Sequence, residues 1–172
     1  MTAVSSRVRT VSSAGVAVIL LLVLIFGNEA FVEWVREHHP NPTTDAGDYF
    51  LHILTFPNWE FFPDSTAETA WRQWFAGNLR AILVVVFVAI LLAVGSRSLL
   101  SRGTSSVGGF IFGWGATMLA AAVAGFVSAL VLIGVDDGSW LLRSFQGAAN
   151  GATYGLFTGW LVGAATSGAR RG

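Results

Sequence analysis

The residues in this chain best suited to chemistry are three histidines and three carboxylates between positions 37 and 52: Glu37, His38, His39, Asp45, Asp48 and His52. Imidazole and carboxylate are ordinary ligands for zinc or copper and ordinary acids and bases. Their spacing gives the idea little support. Adjacent histidines on a helix diverge by about 100 degrees, so His38 and His39 reach one ion only where the backbone is already irregular, as at Pro40. A solvated loop carrying ordinary histidines is the simpler expectation, and no nucleophile is paired with a base. Without cysteine there is no disulfide, no thiolate and no cysteine-bound metal or cluster. No metal and no cofactor is expected.

The elements that hold these residues are more legible. Hydrophobic residues make up 53% of the 172 positions and charged residues 12%, the composition of an integral membrane protein rather than a soluble domain. Every basic residue is Arg, as in the proteins of a GC-rich bacterium. Four apolar segments, near 11–27, 79–95, 107–135 and 145–165, approach or exceed the length a bilayer demands. The fold class expected is an all-helical membrane protein, one domain of four transmembrane helices, with residues 28–78 as an aromatic-rich outer loop.

Charge sets the expected orientation. Arg7, Arg9, Arg97, Arg102, Arg170 and Arg171 flank the first span, the second connection and the fourth span, whereas all ten acidic residues fall in the other two connections. The positive-inside rule then places both termini in the cytoplasm and the long loop outside a plasma membrane. Arg7 and Arg9 before Ala14–Phe26 also resemble a secretory signal, but cleavage after Ala30 would put Asn28 at minus three, where a small residue is needed. An anchor is therefore expected. Arg80, near the outer end of the second span, is expected to snorkel outward. The cytoplasmic arginines are too dispersed for nucleic acid.

Pro40, Pro42, Pro57 and Pro63 divide the outer loop into short pieces. After Pro63, Asp64 or Ser65 with Glu68 reads as a helix cap, and Trp71, Trp74 and Phe75 share one face beside the pair Glu68 and Arg72. This is the pattern of a short interfacial amphipathic helix, ended by Gly77 and Asn78, with Trp59 a further anchor at headgroup level.

The densest pattern is one of packing. Gly147, Gly151, Gly155, Gly159 and Gly163 recur every four residues, a bare groove rising about 24 Å along a helix. The third span has its own row: Gly109, Gly113, Thr117, Ala121, Gly125 and Ala129. A turn through Asp136, Asp137 and Gly138 would join the two as a close antiparallel hairpin. Because each step of four residues drifts about 40 degrees around the axis, a straight partner covers only part of the row. One end is thus expected to face the third span and the other a different helix.

Three functional classes follow. The first is a noncatalytic subunit or assembly factor of a larger plasma-membrane complex, whose partners are the lipid bilayer and other membrane-protein subunits. The second is a homo-oligomeric pore or small transporter lined by Asn150, Thr153 and Thr158, which the lack of ionisable residues inside the spans weakens. The third is an outer-surface enzyme using the histidine and carboxylate group.

Overall fold

A computed structural model of the chain describes residues 2–42, 45–63, 65–101, 105–133 and 138–169, with backbone only for 2–11 and 97–101. The topogenic arginines Arg7, Arg9, Arg97, Arg102, Arg170 and Arg171, the cap Asp64 and the turn residues Asp136 and Asp137 lie outside the described residues or side chains. The order of elements is α1 Thr2–Phe26, α2 Glu29–His38, α3 Ala46–Leu54, α4 Glu68–Ser101, α5 Ser106–Ile133 and α6 Trp140–Gly168. Among the described residues every element is helical, save one isolated bridge between Asn28 and Trp59.

Two helices are long and apolar enough to cross a membrane, Glu68–Ser96 within α4 and Ser106–Ile133 in α5. The apolar part of α1, Ser12–Phe26, is shorter. The four long helices α1, α4, α5 and α6 pack in a ring, each against two neighbours, and α2 and α3 cover one end. Ile19 and Leu22 of α1, Val84, Val88 and Leu92 of α4, Ala120, Ala121 and Ala124 of α5, and Tyr154 and Val162 of α6 meet in the core. Ile53 and Phe56 close its covered end.

Asn28 makes the corner between α1 and α2. Its Oδ1 accepts from the amide of Phe31 at 2.9 Å, capping α2, while its Nδ2 donates to the carbonyls of Leu24 and Ile25, which end α1. The chain after α3 returns to this corner. The Trp59 amide donates to Gly27 at 2.7 Å and its indole to Val23 at 3.1 Å. A Cβ on Gly27 would collide with the Pro57 carbonyl, so only glycine admits this approach. The prolines fall between helices: α2 stops before Pro40, α3 before Pro57, and α4 starts after Pro63.

The aromatic segment after Pro63 differs from the sequence expectation. Trp71, Trp74 and Phe75 are the first turns of α4 itself, and the helix runs unbroken through Gly77 and Asn78. One interior glycine costs about 1 kcal/mol relative to alanine, too little to end a helix held from outside. Here the hold is tertiary: Asn78 Nδ2 donates to Trp74 O at 2.9 Å and to Glu60 O at 3.1 Å, and the Trp74 indole donates to the same Glu60 carbonyl at 2.9 Å. Ser65 accepts only a long bond from Ala67, while the expected Glu68 and Arg72 pair forms at 2.9 Å on the exposed surface.

The glycine row of α6 is filled from within, and by one helix. A Cβ at Gly147 would meet the Gly125 carbonyl, at Gly151 that of Ala121, at Gly155 the backbone of Met118, at Gly159 Trp114 and Thr117, and at Gly163 the Phe110 carbonyl. All five glycines therefore face α5, where one end of the row was expected to face a different helix. The straight-partner assumption fails because the contacts on α5 retreat by three or four residues at each step. Both seams drift, and two helices that wind around each other keep a drifting seam in contact. Gly113 and Gly109 complete the seam at its far end, where Thr166 Oγ1 donates to Gly109 O at 3.2 Å. The Trp114 indole adds a cross-helix bond to Leu156 O at 3.0 Å.

Candidate functional site

The histidine and carboxylate group gathers only in part, around the turn between α2 and α3. His39 Nδ1 lies 2.5 Å from Asp48 Oδ1, and His52 Nε2 donates to the His39 carbonyl at 2.6 Å. Asp45 caps α3 by accepting from the amide of Asp48 at 2.8 Å. His38 turns away, its Nδ1 bonded to Trp34 O at 3.0 Å, and Glu37 stands exposed on α2. Among the described residues, no three His, Asp or Glu side chains converge where they would hold one ion. The arrangement ties α2 to α3 rather than presenting ligands.

Beside this turn is a cleft of about 480 Å³ that no single segment of sequence announces. Arg36 comes from α2, and Tyr49 and His52 from α3. Asn58 and Arg80 form its floor beside Phe56, while Asn150 and Thr153 of α6 form the opposite wall. A smaller cleft of about 240 Å³ shares Arg36, Asn58 and Arg80 and adds Glu60 and Gln73. Both lie at the end of the bundle covered by α2 and α3.

Arg80 is the centre of the pair. Its Nη2 donates to Asn58 Oδ1 at 3.1 Å, and its guanidinium carbon lies 5.0 Å from the centre of the Phe56 ring. Its Nε is buried with no hydrogen-bond partner among the described residues. The side chain thus turns under the loop of residues 55–60 instead of reaching freely outward, because Asn58 and the Phe56 face offer it an acceptor and a π surface there. Two ion pairs form on the described residues, His39 with Asp48 and Arg72 with Glu68, and neither involves Arg36 or Arg80.

Phe56, which lines the cleft, packs at a tilt against the fully buried Tyr154, with ring centres 5.5 Å apart. Thr158 is buried, its hydroxyl bonded to Tyr154 O at 2.8 Å, and Thr117 is bonded likewise to Gly113 O. Asn150 and Thr153 line the cleft, and the buried Thr158 does not. Of the aromatic anchors, Trp71 and Phe75 are exposed, whereas Trp59 and Trp74 spend their indole N–H groups inside the fold.

Sequence reasoning singled out neither Arg36 nor Asn58 and took Arg80 for a snorkelling residue. One signal was available: Arg36, Arg72, Arg80 and Arg143 stand against the charge asymmetry that orders the other six arginines. Arg80 has no acidic residue three or four positions before it with which to pair along its helix, as Arg72 has in Glu68. Compared with known protein families, with curated proteins and with solved structures, the chain matches none.

Proposed function

We propose that the chain is a multi-pass plasma-membrane protein in which α1, α4, α5 and α6 all cross the bilayer, with both termini cytoplasmic and α2 and α3 outside. The observation that carries this reading is the reversed distribution of bulk. On α4, Ile82, Val86, Ile90 and Val94 form an outward row, Ile82 at 61% and Val94 at 65% exposure, opposite the buried Val84, Val88 and Leu92. Leu21 of α1, Ile111 of α5 and Trp160 of α6 are exposed in the same way, while small and hydroxyl-bearing residues fill the seam between α5 and α6. Lipid is the solvent that leaves such a surface without cost, and small residues are what helices packing in lipid place between them. Phe61, Phe62, Trp71 and Phe75, exposed around the covered end, fit the headgroup level.

Within that membrane the protein serves as a noncatalytic component of a larger complex, a subunit or assembly factor. The histidines support the noncatalytic part, since His39 and His52 each use a ring nitrogen to tie α2 to α3, and His38 bonds back to its own helix. The glycine row no longer argues for a partner, because α5 occupies it, whereas the clefts at Arg36 and Arg80 are open for binding. Affinity purification of the tagged chain from native membranes in a mild detergent, with native mass determination, tests the reading. A stoichiometric foreign subunit is the expected result. Recovery solely as a monomer or homo-oligomer contradicts it.

A further inference from the structure

We propose that the cleft between Arg36 and Arg80 binds a phosphate oxyanion, borne by a lipid headgroup or by a small soluble phosphate compound. A guanidinium taken out of water is costly unless its charge is met and its donors are satisfied. Arg80 has five N–H donors, of which one reaches Asn58 and Nε reaches nothing among the described residues. The Phe56 ring softens the cost but supplies no hydrogen bond. Arg36 lines the same cleft, and among the described residues no Asp or Glu lines it. Glu60 lines the smaller cleft only.

Arginine's planar fork matches the paired oxygens of phosphate, and two arginines on one cleft can meet a tetrahedral oxyanion from two directions. Tyr49 and Asn150, each with a side-chain donor, line the same cleft. A volume of about 480 Å³ exceeds the needs of phosphate alone and leaves space for the group that bears it. The cleft lies at the covered end of the bundle, beside Phe56 packed on Tyr154, where a headgroup or a soluble ligand would arrive. This inference stands independently of whether a foreign subunit accompanies the chain.

The test uses the full chain purified in a neutral detergent, with two probes. Inorganic phosphate is titrated against chloride at matched ionic strength, and thermal stability is recorded. Separately, retention of phosphatidylglycerol over phosphatidylcholine is measured by native mass spectrometry after reconstitution and re-extraction. Stabilisation by phosphate without lipid retention identifies a soluble phosphate compound; selective phosphatidylglycerol retention identifies a headgroup; both results support the shared site. Arg80→Gln and Arg36→Gln should each weaken the observed binding about tenfold or more, while Arg72→Gln should not. Should Arg80→Gln fail to fold, Arg36→Gln, on an exposed face of α2, carries the test alone. No response to either probe, or equal binding by wild type and Arg36→Gln, overturns the proposal.

Discussion

Gly125 and Gly147 exclude a side chain from each other reciprocally: a Cβ on Gly147 would lie 2.5 Å from the Gly125 carbonyl oxygen, and a Cβ on Gly125 would strike the carbonyl of Gly147. One direction of this relation repeats along the seam, where a Cβ on Gly151 would strike the Ala121 carbonyl and one on Gly163 the Phe110 carbonyl. Backbone against backbone is thus the contact that joins α5 to α6. Helical glycines that cost about 1 kcal/mol each are offset only if this approach is kept.

Adding a single methyl group at the seam should therefore be expensive. Gly151→Ala is expected to destabilise the protein by about 1–3 kcal/mol, because its Cβ meets backbone that cannot rotate away. Gly115→Ala is the control: it lies in α5 with nothing within 4 Å of its Cβ, and should be neutral or stabilising by up to about 1 kcal/mol. Unfolding in detergent, followed by helical circular dichroism, distinguishes the two.

The corner at Asn28 should be a second weak point. Its side chain caps α2 and also binds the last carbonyls of α1, so Asn28→Ala is expected to cost about 1–2 kcal/mol. Amide exchange should accelerate at Phe31 and Trp59, whose amides depend on this corner, while the seam between α5 and α6 keeps its protection.

What the sequence made legible depended on whether a pattern was local. The glycine row, the prolines between helices and the Glu68 and Arg72 pair are each written within a few residues, and each is found where its spacing puts it. The continuity of α4 through Gly77 and Asn78 was not legible, since the groups that hold it, Asn58 and the Glu60 carbonyl, come from another segment. The row's single partner was missed because winding is a property of two helices together. The cleft was missed for a similar reason: Arg36, Asn58, Arg80 and Asn150 have no spacing in common and meet only when four elements pack.

The account's central claim is that four helices cross the membrane, and the absence of native cysteine makes it directly measurable. Single cysteines in place of Ser5, Phe61, Ser105, Ser139 and Ser167 would be labelled in intact cells with a membrane-impermeant maleimide, before and after permeabilisation. Labelling of Phe61→Cys and Ser139→Cys in intact cells, and of Ser5→Cys, Ser105→Cys and Ser167→Cys only after permeabilisation, is the predicted result. If Ser5→Cys and Ser167→Cys react in intact cells alongside Phe61→Cys, only α4 and α5 cross, and the four-span account is contradicted.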